Sequence, residues 1–141
     1  MERLFDADCD PRQLSPLTLA FVGDGVFELF VREKLVCQGN CPVNSLHKRS
    51  VAQVCCGAQS AAAKRILPLL TDEEAAVYNR GRNAHVGHVP KNAKIADYHA
   101  ATAFEALFGY VYLSGRIERL RELFQLACAA MEEDGKNHPS V

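Results

Sequence analysis

Two acidic residues sit in stretches that otherwise have little use for charge. Asp24 lies between Gly23 and Gly25 in "LTLAFVGDGVFELFV", residues 17–31, and Glu105 is the only acid in "AATAFEALFGYVYL", residues 100–113. A carboxylate among apolar side chains is costly unless something answers its charge, and each glycine inside a helix costs about 1 kcal/mol relative to alanine. The positions four before and four after Asp24 are Ala20 and Glu28, so its own helix offers no cation, whereas Glu28 has Arg32 four residues on in the favourable orientation. A divalent cation between the two helices would answer both lone acids together. Hard oxygen donors of this kind suit magnesium, which keeps several waters and takes one or two protein carboxylates plus phosphate oxygens. The same spacing also allows each acid a basic partner elsewhere, Lys48 or Arg49 for Asp24.

Such a site needs two helices laid side by side. On the first, Asp24, Glu28 and Arg32 form a narrow polar stripe, and Phe21, Val22, Phe27, Leu29, Phe30 and Val31 cover the rest, so the helix is expected to be buried on most sides. On the second, helical spacing puts Tyr98, Thr102, Glu105, Gly109 and Tyr112 on one side. The stripes are expected to face each other, with the glycines beside Asp24 letting a helix or a substrate approach closely. Ser15 followed by Pro16 starts the first helix, which runs to about Val36. After the break at "CQGNCP", Asn44 or Ser45 begins one or two helices that Pro68 stops. Thr71 with Asp72, Glu73 and Glu74 reads as a capping-box start for a helix fading near Arg80. Gly115 ends the late helix and Gly135 the last, amphipathic one. With no alternating strand pattern and no repeat, the expected fold is all-α: a lead-in at 1–13, one domain at 14–135 and a frayed tail at 136–141.

A chain of 141 residues with 48% hydrophobic and 23% charged residues can bury a single core. No apolar run approaches the roughly 18 residues of a membrane span, and the N-terminus lacks a signal-peptide core, so the expected location is the cytoplasm. The six cysteines form no paired CxxC elements and are read as free, mostly buried thiols. His85 and His88 are three apart, but Gly87 and Pro90 spoil them as a helical ligand pair. Formal net charge is −1, yet residues 79–95 carry Arg80, Arg82, Lys91 and Lys94 and no acid. A local basic cluster of this kind is the footprint of a phosphate-rich partner, although a solvated loop could carry the same charges. The segment reads as a loop of about 14 residues, a length at which loops in compact domains usually have a function.

These residues also carry a family likeness. "LAFVGDGVFELFVREKLV" resembles the signature helix of the ribonuclease III catalytic domain, and "TAFEALFGYVYLSG" resembles its second metal-binding helix. "RGRNA…VPKNAKIADYHAATAFEALFGYVYL" is similar to Mini-ribonuclease III, the short bacterial branch without a separate double-stranded-RNA-binding domain. The resemblance spans roughly residues 14–126.

The resemblance implies a ribonuclease III-like helical bundle, a homodimer that cleaves double-stranded RNA with Mg2+, with precursor 23S ribosomal RNA as the expected substrate. It makes Asp24 and Glu105 catalytic metal ligands and Phe21 the aromatic residue that packs across the dimer interface. Arg80, Arg82, Asn83, Lys91 and Lys94 fall in the region expected to grip RNA, with His85 and His88 in the same segment. The chain departs from full-length members at Ala20 and Thr102, where they carry further acids, a loss shared with the short branch. That leaves open whether one or two metals bind, and keeps in view a non-catalytic double-stranded-RNA-binding module. Substrate choice is left between rRNA shape and help from a ribosomal protein. Glu28 has two readings, a pair with Arg32 or a second-layer contact to a metal-bound water.

Overall fold

The computed structural model describes residues 3–84, 89, 91 and 94–136, with side chains as far as Ala129. Among them are six α-helices and no strand: α1 (Pro16–Cys37), α2 (Val43–Val54), α3 (Cys56–Ile66), α4 (Asp72–Arg82), α5 (Ile95–Leu113) and α6 (Ile117–Lys136), with single 3-10 turns at Pro11–Gln13 and Leu67–Leu69. The all-α expectation is met. Local chemistry sets most of the ends. Ser15 Oγ accepts the Thr18 N–H at the start of α1, Thr71 and Glu74 close a reciprocal capping box at the start of α4, and Gly115 takes φ of +74° after α5. The stretch after "CQGNCP" resolves into two helices, because Cys55 is extended between them. Two ends run past expectation: α4 reaches Arg82, and α6 continues through Gly135 to Lys136. A single glycine near the end of an otherwise favourable helix costs too little to stop it.

α5 is the central element. From Ala100 to Val111 every side chain but that of Glu105 is buried, and α1, α3 and α4 pack around it. The core is strongly aromatic. Phe27 of α1 meets Phe104 edge-on at 5.0 Å, Phe108 at 5.5 Å and Phe124 of α6 at 5.7 Å between ring centroids, arrangements that add to area burial. Glu74 is fully buried, where Arg119 of α6 holds it at 2.7 Å while also donating to the Leu69 carbonyl. That pairing keeps the Glu74 carboxyl below its ordinary range against the opposing effect of burial.

α1 corrects the expectation of a helix buried on most sides. Only the stripe Leu19, Gly23, Phe27, Val31 and Leu35 is buried, while Phe21 is 81% and Leu29 58% exposed. The thiols need the same correction: all six cysteines are free, but of these only Cys128 is buried.

The backbones of α1 and α5 touch where they cross. A Cβ on Gly23 would stand 1.7 Å from the Glu105 carbonyl oxygen, and one on Gly109 would stand 2.0 Å from the Leu19 carbonyl. A Cβ on Gly25 meets nothing within 4 Å, so Gly23, not Gly25, permits the helix–helix approach. Gly23→Ala should therefore cost about 3 kcal/mol or more in urea unfolding, since backbone cannot move aside as a side-chain end can. Gly57→Ala, which meets open space in α3, should gain about 0.5 kcal/mol in the same measurement.

Candidate active site

The glycine crossing sets one position on each helix opposite the other. Asp24 follows Gly23 on α1, and Glu105 lies one turn before Gly109 on α5. Their carboxyl groups meet: Glu105 shares a hydrogen bond with Asp24. The two acids differ in setting, because Asp24 is exposed and Glu105 only partly so. Asp24 opens to solvent at the edge of α1, and Glu105 stands behind it against the core.

Burial, the hydrogen bond that protonated Glu105 donates to Asp24 and the Asp24 charge all disfavour ionised Glu105, pushing its carboxyl up to about 9. At neutral pH the two carboxyls therefore hold a proton between them. No salt bridge among the described residues reaches either one. Arg49, one of the two partners open to Asp24, instead donates to Gln38 Oε1 at 2.6 Å and lies 3.7 Å from Cys41 Sγ. Glu28 pairs with Arg32 at 2.7 Å, which favours that reading over a role beside the lone acids.

The two positions where full-length ribonuclease III carries further acids contribute no charge. Thr102 is buried and its hydroxyl donates back to the Tyr98 carbonyl at 3.0 Å, a bond within its own helix. Ala20 is partly exposed beside the pair. Among the described residues no group of three or more His, Cys, Asp or Glu gathers as a metal cage. The donor set is two carboxylates, which fits a hard cation completed by water and phosphate oxygens and does not fit an all-protein cage.

The basic residues lie at the end of α4 and before α5. Arg80 and Arg82 are exposed in the last turn of α4, where cations suit the helix dipole, and Asn83 caps it. Gly81 between them presses on α5, since a Cβ there would lie 2.8 Å from Ala103 Cα and 3.1 Å from Ala106 Cβ. The end of α4 is thereby fixed against the same turn of α5 that carries Glu105. Lys91 and Lys94 are exposed, Lys94 as the residue before α5. His85 and His88 lie outside the described residues.

A second basic run escaped the reading of the sequence. Residues 34–71 contain no acid and carry Lys34, Lys48, Arg49, Lys64 and Arg65. Most of them lie on α2 and α3, and His47 and Lys48 are exposed on α2. The signal was the absence of Asp and Glu over a long span, which a search for dense Lys and Arg passes over.

Comparison with known proteins shows the family to which the chain belongs. The ribonuclease III domain family matches residues 17–116. A Mini-ribonuclease 3 of Thermoanaerobacter sp. (strain X514) is 48% identical over 85% of this chain and 84% of its own length. One from Symbiobacterium thermophilum is 46% identical over 87% of this chain and 95% of its own. The crystal structure of a protein from Fusobacterium nucleatum superposes with a TM-score of 0.76 at 30% identity, over 86% of this chain and 98% of that one.

The raised Glu105 carboxyl gives stability a definite pH dependence. Its proton is held more tightly in the folded state than in the unfolded chain, so the contribution is full below the ordinary carboxylate range near 4.5 and is lost as pH climbs towards 9. In the presence of chelator the unfolding temperature should fall from pH 5 to pH 9, and Glu105→Gln should remove most of that slope.

Proposed function

From its membership of the ribonuclease III family, in the Mini-ribonuclease 3 branch, we propose that this chain is a double-stranded-RNA endoribonuclease that uses Mg2+ at Asp24 and Glu105. The observation that carries the reading is the contact between those two carboxyls, with no salt bridge to either among the described residues. Precursor 23S ribosomal RNA in the cytoplasm is the substrate proposed. No described helix is long and apolar enough to cross a membrane.

When bound, a divalent cation neutralises charge on the scissile phosphate and makes a water more acidic. The chain's own groups do the rest. Asp24, open to solvent, is the carboxylate a phosphodiester reaches first. Glu105 would hold such a cation together with Asp24, and its partly buried position keeps the pair fixed. Water adds in line to phosphorus as the bond to the 3′ oxygen breaks, leaving a 5′-phosphate and a 3′-hydroxyl. Arg80, Arg82, Asn83, Lys91 and Lys94 hold the backbone of an A-form duplex through phosphates and 2′-hydroxyls, because its major groove is too narrow for side chains. The cations of α2 extend that grip.

A duplex has two strands to cut, and a homodimer supplies two sites. Phe21 supports this assembly, since an aromatic side chain 81% exposed on α1 otherwise meets water. Beside it is an apolar hollow of about 340 Å³ lined by Val22, Gly25, Val26, Leu29 and Phe30. A projecting ring and a receiving hollow on one face make that face complementary to itself, as a two-fold interface requires.

The test is a long RNA duplex incubated with and without magnesium. Cutting is expected with magnesium alone, and Asp24→Asn and Glu105→Gln should each slow it at least 100-fold while retaining the duplex on a gel. Retention without cutting by the unaltered protein would instead identify a binding module. Arg82→Ala should weaken binding and lower the slope of log affinity against log salt by about 1; an unchanged slope would remove Arg82 from the contact.

A further inference from the structure

The hollow beside Phe21 has walls that α1 does not build. Leu4, from the segment before the first helix, lines it together with Gly25, Leu29 and Tyr112. This segment is held to the domain at Leu4 and folded by local bonds. The Leu4 N–H donates to the Tyr112 hydroxyl at 2.8 Å, across 108 residues of sequence. The Arg3 guanidinium donates to the Ala7 carbonyl and turns the segment back on itself. Asp10 accepts from both the backbone N–H and the guanidinium of Arg12 at 3.0 Å, and that guanidinium also feels the Glu73 charge on α4.

Held in this way, the segment still presents two consecutive large apolar side chains to water, Leu4 at 88% and Phe5 at 77% exposure. Exposed apolar residues scattered singly need no explanation, but an adjacent pair fixed at the rim of an apolar hollow does. Area arithmetic points the same way. A stable interface takes about 800 Å² from each partner. Leu17, Phe21, Leu29 and Val36 on α1 expose on the order of half of that, taking an aromatic side chain at roughly 150–250 Å². Leu4 and Phe5 add on the order of 300 Å² more.

We infer that residues 3–10 form an arm that completes the homodimer interface: Leu4 walls the hollow that receives Phe21 of a second copy, and Phe5 lies against that copy. This rests on the homodimer reading above. Tyr112 is then a positioning residue, its hydroxyl fixing the arm without touching RNA or the carboxyl pair.

Sedimentation across a dilution series tests the arm, with Phe21→Asp as the reference for the interface itself. The unaltered protein should dimerise and Phe21→Asp should be monomeric. Leu4→Ser/Phe5→Ser should raise the dimer dissociation constant at least tenfold, with an unchanged circular dichroism spectrum because both side chains are exposed. Tyr112→Phe should raise it less. A double variant within twofold of the unaltered protein, alongside a monomeric Phe21→Asp, overturns the arm and leaves the dimer standing. A dimeric Phe21→Asp overturns the shared interface and the arm with it.

Discussion

The backbone-to-backbone crossing of α1 and α5 at Gly23 and Gly109 governs the geometry near the carboxyl pair. Side chains normally hold helix axes 8–10 Å apart, and here Gly23 and Gly109 remove them from both sides of the crossing. The helical cost of Gly23 is the condition for contact between Asp24 and Glu105. The aromatic cluster of Phe27, Phe104, Phe108 and Phe124 then clamps the crossing from within, which keeps the two carboxyls together.

Electrostatic discomfort at that point is the property a cation site needs. A pair satisfied by arginine would have no use for a metal, and the structure directs its arginines elsewhere: Arg32 to Glu28, Arg49 to Gln38, Arg116 to Glu73 and Arg119 to Glu74. The contrast with Glu74 is instructive. Glu74 is buried too, yet its carboxyl is lowered because Arg119 and the Thr71 backbone N–H answer it, whereas Glu105 is raised by burial first and then by an acidic neighbour, Asp24, that reinforces burial instead of opposing it. Burial alone does not mark the functional carboxylate; the identity of the partner does.

Much of this was legible in the residues. Helix starts at Ser15 and Thr71 follow from capping chemistry that acts within four residues, and the pairing of Glu28 with Arg32 is equally local. The juxtaposition of Asp24 with Glu105 could be expected because each was the odd residue on its helix. What the sequence hid was relational. Gly23 and Gly25 look alike in the chain and differ only in which one faces α5. The apolar residues of α1 suggested burial on most sides, but Phe21 and Leu29 point outward, because interface and core draw on the same residue types. The segment before Pro11 reads as a loose lead-in until Tyr112, more than a hundred residues away, is seen to hold it.

The acid-free span from residue 34 to residue 71 has an effect that acts before any contact forms. Its positive charge is balanced by acids gathered elsewhere in the sequence, among them Asp6, Asp8 and Asp10, so a formal charge of −1 conceals a separation of opposite signs along the chain. A nearly neutral body with separated charge feels little net pull from a distant polyanion but a real torque, with one side attracted and the other repelled. An approaching duplex would rotate the protein as it drew near, so that orientation precedes docking, and added salt would slow correctly oriented encounters more than the total charge implies.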